Sequence, residues 1–147
     1  MKKLTKKAED MTLKELAAYI DYSVLKPEFT PEQIIELTKD GVKLGCATIC
    51  INPGYMDLCE PYVKGSETKL CPVTDFPFGT SSTASKVQQI EMVAKYDTVG
   101  EVDVVANFGK IRAGLYDEVT ADIKACADAA HKYGRELKVI FETDALN

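Results

Sequence analysis

The sequence has 147 residues, a length that fits a single domain. Its composition, 46% hydrophobic and 28% charged, is that of a globular protein and excludes a disordered or fibrous chain. With 18 basic and 23 acidic residues the net charge is −5, which argues against nucleic acid as a partner because phosphate backbones bind clustered Lys and Arg.

The basic cluster at the N-terminus is not followed by an apolar segment, and no run approaches 18 apolar residues. We therefore expect neither a signal peptide nor a membrane span. The five cysteines, an odd number, indicate free thiols in a reducing compartment, so we expect a cytoplasmic protein. The single His131 has no Cys at zinc-finger spacing, which argues against a structural zinc site and leaves His131 as the one candidate for any His-dependent nucleophilic mechanism.

Five helical patterns and five strand patterns alternate along the chain, beginning with a leading helix capped by Thr12 and Glu15. Five short segments rich in Val, Ile, Thr and Cys are predicted as strands of a parallel sheet: Ile20–Leu25, Ala47–Asn52, Lys69–Thr74, Glu101–Ala106 and Leu137–Thr143. The helices between them are predicted to begin at Thr30-Pro31, at Asn52-Pro53, at Ser82 or Thr83, and near Tyr116. The first, second and fourth of these are predicted to end at Gly45, Gly65 and Gly134. The run Thr80–Thr83 is interpreted as a helix N-cap rather than a phosphate site.

Strands and helices alternating with a spacing of about 29 residues indicate repeated βαβ units. Glu101, Asp103 and Val105 share one face of the fourth strand. Acidic residues inside a strand are costly where both faces pack on helices, as in a doubly wound sheet, but the inner face of a (β/α)8 barrel carries charged groups near its catalytic mouth. We therefore predict an α/β fold of the TIM-barrel type, a single incomplete domain over residues 1–147 with strands one to five of eight.

Five segments carry motifs: Ile20–Pro27, Ala47–Pro53, Asp75–Thr80, Glu101–Gly109 and Leu137–Thr143. In order and spacing they resemble the motifs of deoxyribose-phosphate aldolases, which have the patterns D-H-T-L-L-K-P, A-S-V-C-V-N-P, G-F-P-x-G, E-I-D-M-V-x-N-x-G and L-K-V-I-x-E-T. The resemblance extends over residues 12–147 and matches the N-terminal five-eighths of the family.

The resemblance implies a class I aldolase, which uses no metal or other cofactor. Such enzymes cleave 2-deoxyribose 5-phosphate to acetaldehyde and glyceraldehyde 3-phosphate through a lysine Schiff base. In the family that lysine lies on the sixth strand, in a K-T-S-T-G-type motif, which does not occur among these 147 residues. We therefore expect the chain to be inactive alone. Three further units, roughly 90 residues, would give a typical barrel length of about 250.

Asp103 matches the family residue that relays protons in the carbinolamine and enamine steps; the alternative is that it is an internal ion-pair partner of Lys138. Lys138 lies on the same predicted face as the acids and is a candidate for substrate binding. A neighbouring acid favours its charged form over the neutral amine that a nucleophile needs, so we do not expect it to form the Schiff base.

Other residues of the motifs are predicted to contact substrate. Asp21 and Ser23 are candidates for binding its hydroxyl groups, with hydrogen bonding within a loop as the alternative. Cys50 is predicted to form part of the pocket wall, or else to be a small buried hydrophobe. Thr143 is placed near the pocket mouth, and Asp75 is interpreted as a solvated loop carboxylate.

Two alternatives to an aldolase remain: a non-catalytic half-barrel that serves as a binding or assembly module, and a different reaction carried by Lys138 and Asp103. The partner implied by the resemblance is a small phosphorylated sugar or aldehyde. Five strands of eight leave open edges at Ile20–Leu25 and Leu137–Thr143, so we predict a homo-oligomer that covers them.

Overall fold

The computed structural model describes residues 6–146; Lys2 and Lys3 of the basic cluster lie outside this range. The chain forms two compact units that divide between Pro72 and Val73. Within residues 6–146, every helix is too short or too polar to span a lipid bilayer. No disulfide joins the five cysteines, all of which are described and buried.

The first unit contains β1 (Asp21–Val24), β2 (Thr48–Ile51) and most of β3 (Lys69–Thr74), which pair in parallel. Its helices are α1 (Leu13–Ala17), α2 (Pro31–Leu44) and α3 (Met56–Val63), with 3-10 turns at Ala8–Asp10 and Pro53–Tyr55. The buried side chains of this unit include Ile34, Ile49, Cys59 and Leu70, which share a core between helices and strands.

The helix starts of the first unit lie where the sequence predicts them. Thr12 and Glu15 form a capping box at α1, and Thr30 and Gln33 form one at α2, each satisfying backbone N–H groups that a helix start leaves without partners. Helix α2 ends at Gly45, whose left-handed backbone (φ 76°) favours glycine.

The second unit contains the end of β3, β4 (Glu101–Val105) and β5 (Glu136–Ile140), also in parallel. Its helices are α4 (Thr83–Ala94), α5 (Phe108–Arg112) and α6 (Tyr116–His131), and a 3-10 turn follows at Thr143–Ala145. The pairings of the two units give the strand order β1-β2-β3-β4-β5. Five parallel strands with flanking helices confirm the predicted fold class.

Two details differ from the prediction. Strand β5 ends at Ile140 rather than at Thr143, because Glu142 adopts a left-handed backbone (φ 54°) that cannot continue an extended strand. Helix α5 was not predicted; it begins where the Asn107 side chain accepts a hydrogen bond from the backbone N–H of Lys110.

Candidate functional site

Asp103 and Lys138 lie directly opposite each other on β4 and β5. The Lys138 Nζ is 2.9 Å from Asp103 Oδ1 and 2.8 Å from Glu101 Oε2. Glu101 and Asp103 point to the same side of β4 because residues two apart on a strand share a face. The parity of the sequence thus predicted a charged cluster on this face, and the structure brings its three members together.

The three charged groups are shielded from water to different degrees. The side chains of Asp103, Lys138 and Glu101 are 11%, 26% and 23% exposed. One ammonium group between two carboxylates leaves the cluster with a net charge of −1. The Asp103 carboxylate is therefore held beside a cation, and the Lys138 Nζ contacts both acids.

The predicted residues of the first unit lie on one face of β1 and on β2. Asp21 is the first residue of β1, and its Oδ1 accepts a hydrogen bond of 2.7 Å from the Thr48 hydroxyl. Ser23 is exposed and stands opposite Cys50, which is 4% exposed. Cys50 in turn stands opposite Cys71 on β3. Asp21 thus has a partner within the sheet, whereas the Ser23 hydroxyl is accessible.

Thr143 does not lie on a strand. It begins the exposed 3-10 turn after β5, three residues beyond Ile140. The structure therefore does not include it in the Asp103–Lys138 cluster.

The interpretation of Asp75 as a solvated loop carboxylate is wrong. Its side chain is 11% exposed and accepts hydrogen bonds from the backbone N–H (2.8 Å) and the hydroxyl (2.7 Å) of Ser81. Its φ of 53° places it in the left-handed region, which Asp tolerates better than most residues. This backbone turn directs the carboxylate toward the protein interior, where it lies 3.8 Å from Lys86 Nζ.

Lys86 was missed by sequence reasoning. It is 1% exposed, and its Nζ lies 2.8 Å from Asp122 Oδ2 and donates a 3.0 Å hydrogen bond to the carbonyl oxygen of Val105. The sequence pattern does indicate its burial. Lys86 precedes Ile90 by four residues and Val93 by seven, which places all three on one helix face, and Ile90 and Val93 are buried.

The run Thr80–Thr83 contains the predicted helix cap. The Ser82 hydroxyl accepts a hydrogen bond from the backbone N–H of Ser85 at the start of α4. The residues on either side of Ser82 donate hydrogen bonds to buried acids. The Ser81 hydroxyl donates to Asp75 Oδ1, and the Thr83 hydroxyl donates a 2.6 Å hydrogen bond to Asp122 Oδ1.

Curated proteins resemble this chain over most of its length. It is 40% identical over 139 residues to a deoxyribose-phosphate aldolase of Clostridium kluyveri and 38% identical over 136 residues to one of Desulfitobacterium hafniense. These matches cover 93% and 92% of this chain and 62% of each relative, so the chain spans about three fifths of their length. No protein-family model matches the sequence.

Solved structures of aldolases also resemble this chain in fold. A chain from Coccidioides immitis described as a deoxyribose-phosphate aldolase superposes with a TM-score of 0.85 at 31% identity, covering 93% of this chain and 53% of that one. A tetrameric deoxyribose phosphate aldolase from Aeropyrum pernix, at 24% identity, has a TM-score of 0.81 over 92% of this chain and 56% of its own and shows the same fold. Sequence and fold therefore confirm the predicted relationship: over 93% of its length, the chain is homologous to the deoxyribose-phosphate aldolases.

Proposed function

We propose that this chain provides the proton-transfer part of an aldolase pocket, with Asp103 as the catalytic acid–base residue. The match of Asp103 to the relay residue of the family motif supports this role. The Asp103–Lys138 ion pair of 2.9 Å, which is also what a purely structural pair would show, adds that the carboxylate is held in a fixed position. A general acid–base residue must be held near its substrate while it exchanges protons, and a fixed cation beside a carboxylate provides that restraint.

The reaction that this pocket would serve is the reversible cleavage of 2-deoxyribose 5-phosphate to acetaldehyde and glyceraldehyde 3-phosphate, the activity of the family. Asp103 would move protons in the carbinolamine and enamine steps. Lys138 would orient Asp103 and bind a substrate oxygen. In the first unit, Ser23, whose hydroxyl is accessible, and Cys50 are candidates for contact with substrate. Asp21 is a weaker candidate for substrate binding, because the Thr48 hydroxyl already donates a hydrogen bond to one of its carboxylate oxygens.

We further propose that a polypeptide of these 147 residues forms no Schiff base. Imine formation requires a neutral amine, which proteins obtain by desolvating a lysine or by placing it near another cation. Lys138 and Lys86 are instead each held by two carboxylates. The pocket would be completed by a lysine outside these residues, as the motif of the family implies.

Trapping with borohydride tests this proposal. The 147-residue chain is incubated with acetaldehyde and sodium borohydride, and the ethylated lysines are located by peptide mass mapping. We expect scattered labelling below one adduct per chain at exposed lysines such as Lys124. A stoichiometric adduct at Lys138, with turnover lost in Lys138→Leu and kept in Lys124→Leu, would overturn the proposal and establish a different reaction on Lys138 and Asp103.

The role of Asp103 is tested in an active background. This chain is joined to the remaining C-terminal part of the Clostridium kluyveri relative, and circular dichroism and a cooperative unfolding transition show that the chimera folds. Asp103→Asn keeps the size of the side chain and is expected to lower kcat by about 10²–10⁴-fold with a smaller change in KM. An unchanged kcat in a folded Asp103→Asn chimera would contradict the assignment.

We also propose that the chain works as a homo-oligomer in a reducing compartment such as the cytoplasm. The odd number of cysteines supports the compartment. Strand β5 pairs with β4 along one edge, and Phe141 beside it is 49% exposed, which supports association of copies at the other edge. Sedimentation at tens of micromolar tests this, and a clean monomer would contradict it. The exposed strand edge equally supports a non-catalytic assembly module. Activity of the chimera, and its loss in Asp103→Asn, would distinguish the aldolase pocket from such a module.

A further inference from the structure

Lys86 is a buried cation in the second unit that the proposed proton transfer does not use. It stands in the first turn of α4, is 1% exposed, and reaches Asp122 on α6 (2.8 Å) and Asp75 after β3 (3.8 Å). A buried charge is costly unless it is paired and hydrogen-bonded, and removing one member leaves the others without compensation. The cluster is therefore a fixed part of the second unit.

The third partner of Lys86 is a backbone atom at the end of β4. Its Nζ donates a 3.0 Å hydrogen bond to the carbonyl oxygen of Val105, the last residue of that strand. The next residue, Ala106, donates its N–H to the carbonyl oxygen of Ile140 (2.9 Å), which joins the end of β4 to the end of β5. Lys86 thus holds the carboxyl end of β4 at the point where it meets β5.

Val105 and Asp103 are two residues apart on one strand and share one face. A shift of the Val105 carbonyl would be transmitted along two residues of extended backbone to the Asp103 carboxylate, and from there to Lys138 across the strand pair. The 2.9 Å separation of Lys138 Nζ from Asp103 Oδ1 depends on that alignment, and the attraction between the two charges weakens as their separation grows.

We propose that Lys86 is a positioning residue for the Asp103–Lys138 pair: its ammonium, anchored by Asp122 and Asp75, fixes the Val105 carbonyl and thereby the carboxyl end of β4. The effect of Lys86 on catalysis rests on the proposed function of Asp103. Its effect on the geometry of the ion pair is independent of that function and can be measured without substrate.

A merely structural role for Lys86 gives a different expectation. In that case its loss would loosen α4 against α6, which meet through Asp122, and would lower the overall stability without changing the end of β4 selectively. The two roles are separated by comparing two backbone hydrogen bonds at opposite ends of the β4–β5 pair. Ala106 N–H donates to Ile140 at the carboxyl end, and Glu136 N–H donates to Gly100 (3.3 Å) at the amino end.

The experiment measures amide hydrogen exchange and the NMR signals of the Lys138 ammonium and the Asp103 carboxyl carbon in the 147-residue chain. In Lys86→Met we expect the ratio of the Ala106 exchange rate to the Glu136 exchange rate to rise at least tenfold. We also expect the Lys138 and Asp103 signals to move. Lys124→Met, which removes an exposed pair with Asp128, is the matched control and should change neither.

A second variant covers the case in which Lys86→Met does not fold. Lys86→Met/Asp122→Leu removes both members of the closer ion pair, which buried pairs tolerate better than the loss of one member, and still lacks the bond to Val105. Asp75 keeps its two hydrogen bonds from Ser81 in this variant. We expect the same tenfold rise in the double variant. An unchanged exchange ratio together with unchanged Lys138 and Asp103 signals, in whichever variant folds, would overturn the positioning role, whatever the outcome of the borohydride trapping.

Discussion

Gly79 lies against the carbonyl oxygen of Ala106: a Cβ placed on Gly79 would stand 2.3 Å from that oxygen and 2.9 Å from Val105 Cγ1. Its backbone is also left-handed, with a φ of 66°. The loop after β3 therefore packs on the carboxyl end of β4 with no room for a side chain.

Gly79→Ala should accordingly lower the free energy of unfolding by about 3 kcal/mol, since it combines a left-handed backbone with a clash against backbone atoms. Urea denaturation measures the change. Gly45→Ala, which has the left-handed backbone but open space around it, should cost about 1 kcal/mol. Gly54→Ala has neither problem and should stay within about 0.5 kcal/mol of the parent. Equal effects of Gly79→Ala and Gly45→Ala would show that the contact with Ala106 contributes nothing.

Removal of the cation between Glu101 and Asp103 should also destabilise the protein. Lys138→Met leaves the two carboxylates on one face of β4 without their shared partner, and we expect a loss of about 1–3 kcal/mol in the free energy of unfolding. The exposed Lys124→Met serves as the control, with an expected change of at most about 0.5 kcal/mol. An unchanged free energy of unfolding in Lys138→Met would indicate that the attraction within the ion pairs only offsets the cost of desolvating the charges.

The pKa of Glu15 is lowered to about 2, mainly by its hydrogen bond with Lys6 and then by its bonds to the backbone and hydroxyl of Thr12. A lowered carboxyl pKa contributes stability above the unfolded value of 4.5, and that contribution is lost as the pH falls from 4.5 toward 2. An NMR titration of the Glu15 carboxyl carbon should give a midpoint near 2. Lys6→Met should raise this midpoint more than Thr12→Val does; the reverse order would contradict the assignment of the main cause.

Burial raises the pKa of the Cys126 thiol to about 11, and the nearby Asp122 carboxylate adds to the shift. Because the folded protein keeps this proton while the unfolded chain releases it above its ordinary value of 9.0, the free energy of unfolding should fall as the pH rises from 9 toward 11. Urea denaturation over this range measures the loss. Cys126→Ala should flatten the slope, and an identical slope in this variant would exclude Cys126 as its source.

Local sequence patterns were enough to predict the five strands, the longer helices between them and the caps of α1 and α2. The capping pairs Thr12 with Glu15 and Thr30 with Gln33 are encoded within four residues, so local pattern suffices to place them. The parity of β4 likewise determined that Glu101 and Asp103 share a face, because the side-chain period of a strand is fixed at two. The motifs added the resemblance to deoxyribose-phosphate aldolases, which the homologous proteins confirm.

The tertiary structure alone decided which of these charged groups are buried and what they bind. Asp122 lies 36 residues from Lys86 in sequence, and no local pattern brings the two together. The turn at Asp75 directs a loop carboxylate inward, and Glu142 ends β5 early; both depend on a left-handed backbone at a residue type that does not require it. Periodicity determines which face a side chain occupies, but the charge environment of that face is set by distant segments that meet only when the chain folds.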